Sequence, residues 1–196
     1  MALGDSYATL ADLKSRLRIT DTTDDDDLTN ALSVASRGIE HCTNRQFNDA
    51  GAVSSRVFVV GSSRAVRVDD FSTAVGLVVE TGSGYTTMWD VADYELWPLN
   101  GIVGGVPGWP YWRIGAVGSF FASCGGRARV TAQWGWAAVP SPVREGCLIL
   151  AEDLFKLRDS PFGAGGYGEY GRIRARENPN VWMRIAPYRR DVVLVG

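Results

Sequence analysis

The spacing of apolar residues changes twice along this chain, and this change constrains the fold more than any other feature. Between residues 10 and 44, apolar side chains recur every three or four positions, as on one face of an α-helix. From about Ser54 to Trp136 the repeat shortens to two, and β-branched or aromatic runs alternate with Gly, Asp and Ser. The helical repeat returns after Pro140. The sequence therefore predicts an α+β protein: a helical bundle with an inserted, mostly antiparallel β domain.

Three helices are predicted to build the bundle: two N-terminal helices and one C-terminal helix. Thr9 is placed to cap a short helix from about Ala11 to Arg18, with Asp12 at the third position of a capping box. Longer helices are predicted at Asp24–Asn44 and Ser141–Asp159. Each carries a continuous apolar face that it cannot bury alone, so we expect these two helices to pack together.

The predicted organisation has four parts. Residues 1–52 hold the N-terminal helices, and 53–139 form the β-rich insert of about six strands. Residues 140–160 form the C-terminal core helix. Residues 161–196 comprise a glycine-rich loop, a short helix starting at Asn178, and an extended tail.

The glycine-rich segment contains a G-x-G-x-x-G match at Gly163, Gly165 and Gly168. A dinucleotide site needs this turn after a strand, and an acidic residue about 20 positions later. Here the segment follows a predicted helix, and position 183 is Met. We therefore predict no cofactor and interpret the segment as a loop whose aromatic residues meet a neighbouring subunit. These inter-subunit candidates are Phe162, Tyr167 and Tyr170.

The titratable residues do not form a catalytic or metal-binding pattern. His41 is the only histidine, and its neighbour Cys42 points about 100° away on the same helix. The run Asp24–Asp27 is interpreted as helix capping and dipole compensation, because it lacks the alternating ligands and glycine of a calcium loop. The acid pair Asp69–Asp70 is expected in a turn. The sequence thus predicts a protein without catalytic residues or metal ligands.

Composition excludes further classes of protein. The net charge of −2 argues against a general nucleic-acid binder of the basic-patch kind. The longest uncharged run, Leu96–Trp112, contains three Pro and four Gly, which no membrane helix does. No N-terminal stretch combines basic residues with an apolar run, so no signal peptide is predicted.

Three segments, in matching order, resemble the tailed-phage head–tail connector (adaptor) proteins. The first is YATLADLKSRLRITDTTDDDDLTNALSVASRGIEHCTNRQF. The second comprises DYELWPLN and WPYWRI, and the third comprises QWGWAAVPSPVREGCLILAEDLFKLRDSPFG and NPNVWMRIAPYRR. The resemblance implies a structural virion protein that forms a ring, commonly of twelve copies, below the portal protein. Such a ring extends the DNA channel and carries the next neck, stopper or tail protein, after assembly in the host cytoplasm.

The resemblance and the local pattern together predict that residues 178–196 dock on the portal. One apolar side of a short helix is surrounded by arginines, and the tail VVLVG could add a strand to another chain. An open alternative is that Trp182 and Tyr188 fold back onto the chain's own helices. The portal-docking candidates are Val181, Trp182, Arg184, Ile185, Tyr188, Arg189, Arg190, Val192 and Leu194.

Two further sets of residues receive expected roles in the ring. Asp24, Asp25, Asp26 and Asp27 are candidates for the channel or its rim, where a sliding polyanion needs a neutral or acidic lining. Trp109, Tyr111 and Trp112 are inter-subunit candidates. The alternative function is an unrelated, non-enzymatic binding module that uses Trp97, Trp109 and Trp112 as a stacking platform for carbohydrate or protein.

Overall fold

A computed structural model describes residues 4–118, 121, 126–157 and 178–190. The chain divides into two compact units. We call the first the helical unit; among the described residues it runs up to Phe47 and resumes at Val139. The second, the β unit, comprises Asn48–Ala138.

Four α-helices occur in the described part of the chain, and all of them lie in the helical unit. They are α1 (Leu10–Leu17), α2 (Asp25–Thr43), α3 (Ser141–Leu157) and α4 (Pro179–Ile185), followed by a 3-10 turn at Ala186–Tyr188. The capping box of α1 is confirmed, because the Thr9 side chain accepts from the Asp12 N–H while Asp12 accepts from the Thr9 N–H. The N-cap of α2 is Asp24, whose side chain makes no capping hydrogen bond.

The core of the helical unit is the contact between α2 and α3. Leu32 and Ile39 of α2, and Leu150 and Leu154 of α3, are almost completely removed from solvent. The apolar faces expected from the sequence are therefore the faces that pack. Cys42 is the exception: it is only half-buried, near the C-terminal end of α2.

Tyr7 joins the segment before α1 to the far end of α2. Its ring is fully buried and makes an edge-on contact with Phe47, with 5.5 Å between ring centroids. Its hydroxyl donates to Glu40 at 2.5 Å and accepts from the Phe47 N–H at 3.1 Å. Burial, followed by the bond to Glu40, raises the pKa of Tyr7. No sequence pattern indicated this contact.

The β unit contains nine strands in its described residues. They are β1 (Asp49–Val59), β2 (Ala65–Phe71), β3 (Val78–Thr81), β4 (Thr87–Met88), β5 (Tyr94–Trp97), β6 (Ile102–Val103), β7 (Val106–Pro107), β8 (Tyr111–Ala116) and β9 (Arg127–Gly135). Three 3-10 turns connect them, at Ser83–Tyr85, Val91–Asp93 and Leu99–Gly101.

Seven of these strands form one antiparallel sheet, with β9 as its main partner strand. The order is β4-β3-β9-β2-β8-β5, and β1 pairs with β9 from Asp49 to Val59. Trp134 of β9, Phe71 of β2 and Ile114 of β8 lie in the centre of the core, each at most 1% exposed. The α+β class with a mostly antiparallel sheet is confirmed.

Two local expectations for the β unit are wrong. The stretch Pro98–Pro110 is not one long loop, because it contains a 3-10 turn and the small hairpin of β6 and β7, and strand β8 follows it. Asp69 and Asp70 are not turn residues, since both lie in β2. Asp69 pairs with Arg56 at 2.6 Å, and the buried Asp70 carboxylate accepts from the Trp136 indole at 3.1 Å.

Candidate interaction surfaces

Helix α4 presents one buried side to α3. Val181 and Ile185 have no exposed surface. They lie over Gly146 of α3, where an added Cβ would meet Ile185 Cγ2 at 3.2 Å and Val181 Cγ1 at 3.8 Å. Because Gly146 has no side chain, α4 can pack closely against α3 at this position. A fully buried side chain offers no surface to a partner, so Val181 and Ile185 belong to the core of the helical unit.

Both ends of the α4 segment are fixed by hydrogen bonds. At the start, the Asn178 side chain caps the helix by accepting from the Asn180 N–H at 2.9 Å and donates to Asp153 at 2.7 Å. After the helix, the Tyr188 ring contacts Phe47 edge-on, with centroids 5.8 Å apart. The Arg190 N–H then donates to the Thr43 carbonyl at 2.8 Å. The segment from Asn178 to Arg190 is thus part of the helical unit.

Other portal-docking candidates lie on α4 and just after it, and are more exposed than Val181 and Ile185. Trp182 and Arg184 are half-buried, Arg189 is exposed, and Met183, which the sequence reasoning missed, is 68% exposed. One Arg184 N–H donates to the Asn180 carbonyl at 2.6 Å, within α4. Val192 and Leu194 lie outside the described residues. We call Trp182, Met183, Arg184 and Arg189 the α4 outer face.

A charged groove of 710 Å³ runs beside Arg184, between α1, α3 and α4. Arg144 pairs with Asp12 at 2.6 Å, and Arg16 pairs with Glu145 at 2.8 Å and with Glu152 at 2.6 Å. The hydrogen bonds from Arg144 and Thr9 lower the pKa of Asp12 to about 2. Asp12 therefore remains ionised at neutral pH, and the groove is a set of mutual ion pairs, not a proton-transfer site.

The acidic turn, which we define as Asp24–Asp27, lies at the start of α2. Asp25 pairs with Lys14 at 2.5 Å, and Asp24 is half-buried. Asp26 and Asp27 are exposed on the first turn of the helix. Asp26 and Asp27 are therefore the two more exposed carboxylates of the acidic turn.

The aromatic candidates at 109–112 pack largely within the β unit. Tyr111 contacts the core residue Phe71 at 5.5 Å, and Trp109 contacts Trp112 at 6.1 Å and Trp136 at 5.2 Å. The planes of Trp109 and Trp112 are inclined by 67°, so these rings do not form a flat platform. Trp109, Tyr111 and Trp112 are each half-buried. The other inter-subunit candidates, Phe162, Tyr167 and Tyr170, lie outside the described residues, as does the glycine motif.

The nucleophilic side chains that can be placed do not assemble into a reactive site. Cys147 is fully buried between α3 and α2, with its sulfur 3.4 Å from the Ser36 hydroxyl, and burial raises its thiol pKa to about 11. A thiol with a raised pKa is a poor nucleophile. His41 is exposed on α2. Within the described ranges, no three His, Cys, Asp or Glu side chains are grouped so that they could hold a metal ion.

The described residues offer several features that could contact another protein. They combine ion-paired grooves, half-buried aromatic rings and arginines, the residues that are enriched where proteins meet. None of the described helices is both long and apolar enough to cross a bilayer.

Comparison with known proteins agrees with the resemblance indicated by the sequence. Residues 7–66 match the phage gp6-like head-tail connector protein family. This segment includes α1, α2 and β1, and it confirms the resemblance at the part of the chain where the capping box and the acidic turn lie. None of the curated proteins compared with the chain matches it.

The fold is similar to that of solved structures of gene transfer agent (GTA) particles. A chain from the neck of an empty GTA particle, with C6 symmetry, is 21% identical with a TM-score of 0.57, over 95% of this chain and 91% of that chain. A chain from the virion of a native GTA particle is 20% identical with a TM-score of 0.56, over 100% and 96%. A chain from the neck of the native particle, with C12 symmetry, is 19% identical with a TM-score of 0.51, over 95% and 91%.

Proposed function

We propose that this chain is a structural virion protein, a head–tail connector that forms a ring below the portal and joins the capsid to the neck or tail. The observation that carries this proposal is the family match over residues 7–66. The likeness to neck and virion chains extends the same fold over at least 95% of the chain. The role is mechanical: the ring extends the DNA channel and provides a platform for the next neck, stopper or tail protein.

The number of copies is proposed from the symmetry of the similar structures. Two of them are necks computed with C6 and C12 symmetry, respectively. A ring of twelve copies is compatible with both, because twelve is divisible by six. We therefore propose a dodecamer.

The α4 outer face is proposed as the surface that meets the portal. Its anchor is rigid, because Val181 and Ile185 are buried on α3 and the Arg190 N–H is bonded to α2. A rigid anchor lowers the entropic cost of docking. Trp182 and Met183 supply apolar contact, and Arg184 and Arg189 supply donors for carboxylates. The tail that contains Val192 and Leu194 continues from this face and is proposed to extend the contact.

DNA is proposed to pass through the ring without sequence-specific binding. A polyanion slides more easily past a neutral or acidic lining than past fixed arginines. We therefore propose that the exposed carboxylates of Asp26 and Asp27 lie at the rim of the channel. Binding of DNA to the isolated protein is expected to be weak and to disappear as salt increases, which filter binding at two salt concentrations measures.

Solution mass and negative-stain images of the full chain, alone and with the portal protein of the same particle, test the proposal. Closed rings with sixfold or twelvefold symmetry that stack coaxially on the portal are expected. A chain that stays monomeric with and without portal, and that binds glycans, would instead support the alternative binding module that uses Trp97, Trp109 and Trp112.

The proposed portal-binding surface is tested with alanine variants of the α4 outer face. Arg184→Ala and Trp182→Ala are expected to weaken portal binding at least about tenfold, as typical interface anchors do. Arg67→Ala removes an exposed arginine on β2 and serves as the control. Equal binding by all three variants would remove the α4 outer face from the docking surface, while leaving the ring untouched.

A further inference from the structure

The large apolar side chains that remain exposed are concentrated in the β unit. Of the twelve in the described part of the chain, eleven lie within Asn48–Ala138, and Met183 is the exception. Single exposed apolar residues are ordinary, but contiguous groups of them mark surfaces that bind another protein. Two such groups occur in the β unit, one on β1 and one on the segment from β5 to β7.

The first group, which we call the valine strip, consists of Val53, Val57 and Val59 on β1. Alternate residues of a strand point to the same face. These three are 50–59% exposed, whereas Phe58 between them packs toward the core. Among the described strands β1 pairs only with β9, so its other edge is open along eleven residues. Native proteins usually cover or block such long, apolar edges, so the strip has the character of a surface that another chain covers.

The second group, which we call the β5–β7 patch, consists of Trp97, Leu99, Ile102 and Val106, each 37–58% exposed. Strand β5 ends the order of the sheet, and β9, β2 and β8 separate it from β1. The hairpin of β6 and β7, which carries Ile102 and Val106, is a separate two-stranded sheet. A hairpin of this kind is marginally stable by itself in water, so packing against another chain would stabilise it.

The charges beside the two groups are opposite in sign. Arg127 lies directly opposite Val59 in the β1–β9 pair, so both side chains point to the same face. Glu95 lies two residues before Trp97, on the outward face of β5, and accepts from the Trp97 indole at 2.9 Å. Both charged residues are exposed, and neither forms an ion pair with a described residue. Residues 89–112, which include the patch, contain three acidic residues and no basic one.

These charges favour a contact between unlike surfaces of two copies. Two valine strips placed together would bring Arg127 against Arg127, and two patches would bring Glu95 against Glu95. A strip placed against a patch pairs the arginine with the carboxylate and covers both apolar groups. Arg113, opposite Trp97 on β8, lies over that ring at 5.8 Å, on the side away from the open edge of β5. Identical copies that join through two different surfaces form a ring when the rotation between them closes.

We propose that the β5–β7 patch of one copy packs on the valine strip of the neighbouring copy, with Glu95 facing Arg127 across the contact. This inference rests on the proposed ring and names the contact that joins its subunits. The contact covers the open edge of β1 and supports the hairpin of β6 and β7. It also pairs two exposed charges that have no ion-pair partner among the described residues.

Aspartate substitutions in the full chain test the apolar part of the contact. Val57→Asp and Ile102→Asp each place a charge in the proposed contact. Each is expected to raise the concentration needed for ring assembly at least about tenfold, because burying an unpaired charge is costly. Met88→Asp is the matched control, since Met88 is 69% exposed on β4 and belongs to neither group. The melting temperature of each variant is measured to show that it remains folded.

A charge swap tests the pairing of Glu95 with Arg127. Glu95→Arg and Arg127→Glu each place like charges on both sides of the contact, and each is expected to raise the assembly concentration about tenfold. The double variant restores unlike charges at every contact and is expected to assemble as the wild type does. An equimolar mixture of the two single variants is also expected to assemble, because copies that alternate around an even-numbered ring again oppose unlike charges.

Mass photometry across a dilution series, with and without the portal protein, distinguishes the outcomes. Rings formed by both aspartate variants at the wild-type concentration would overturn the inference and leave the proposed ring intact. Wild-type protein that forms no ring, alone or on the portal, would overturn the proposed ring and this contact with it. Loss of assembly in folded single variants, without rescue by the swap, would reject the pairing of Glu95 with Arg127.

Two results would assign the valine strip to a different occupant and so overturn the contact between copies. Aspartate variants that form normal rings but fail to bind the next neck protein would identify that protein as the occupant. Amide hydrogen exchange on β1 that becomes faster when residues 191–196 are removed from the monomer would identify the chain's own tail.

Discussion

Replacing Ile185 with alanine measures how firmly α4 is held by its own unit. Ile185 is fully buried over Gly146, and the change deletes three buried carbon groups. At about 0.8 kcal/mol each, their transfer from water contributes about 2.4 kcal/mol. The cavity left behind adds to this cost when α3 cannot move in, so the free energy of unfolding is expected to fall by about 2.5–4 kcal/mol.

Urea denaturation followed by circular dichroism at the helical band is the appropriate assay. The described α-helices all lie in the helical unit, so the signal reports chiefly on the unit that contains Ile185. Met183→Ala is the matched control on the same helix, because that side chain is 68% exposed. Its effect should stay within about 0.5 kcal/mol.

The comparison of the two variants decides between two roles for α4. A large loss for Ile185→Ala and none for Met183→Ala means that α4 is a fixed part of the helical unit with one outward face. If Ile185→Ala also changed stability by less than about 0.5 kcal/mol, α4 would not be packed on α3. The whole helix, including its apolar side, would then be available to a partner.

Three further changes test other contacts. Tyr7→Phe leaves a buried backbone N–H without its acceptor, and should cost about 1–3 kcal/mol and speed hydrogen exchange at that amide. Asp12→Asn removes the carboxylate that pairs with Arg144 and should cost about 0.5–1 kcal/mol at pH 7. The pKa of Asp12 in the folded protein is about 2, below its ordinary value of 3.8. The stability difference between wild type and variant should therefore be present above pH 4 and vanish as the pH falls toward 2. A difference that grew on acidification would refute this. Gly135→Ala should cost at least about 2–3 kcal/mol in the same urea titration, because φ of Gly135 is +103° and an added Cβ would overlap the Asn48 carbonyl. Gly51→Ala is the control: φ of Gly51 is +70°, but the space around it is open, so the change should cost about 1 kcal/mol.

Local sequence patterns were sufficient to predict the elements whose structure depends on residues a few positions apart. The bounds of α1 and α2 and the start of α3 agree with the sequence prediction to within one residue, because caps and a three-to-four-residue repeat involve residues that are close together in the chain. The switch to a two-residue repeat likewise indicated the β unit. Strand β8 was missed because prolines and glycines before it resemble a loop, although its inward side chains Ile114 and Tyr111 complete the core.

For the candidate surfaces, local sequence patterns were not sufficient. The sequence singled out the apolar side of the last short helix and assigned it to a partner, yet Val181 and Ile185 pack on α3. A helix of seven residues gives no local sign of whether its apolar side is covered by its own chain, since that depends on Gly146, more than thirty positions earlier. The opposition of Arg67 and Arg113 was equally invisible, because strand register is set by pairings between distant residues.

The amino-acid sequence by itself determined the helices and their buried faces, the presence of an antiparallel β region between them, and the resemblance to head–tail connectors. These features depend on the identities of residues a few positions apart, which the sequence displays directly. Only the tertiary structure decided which distant groups lie side by side: the buried contact of Tyr7 with Glu40 and Phe47, the packing of α4 on α3, and the opposition of Arg67 and Arg113. Each of these depends on the distance between residues far apart in the chain, and folding alone sets that distance.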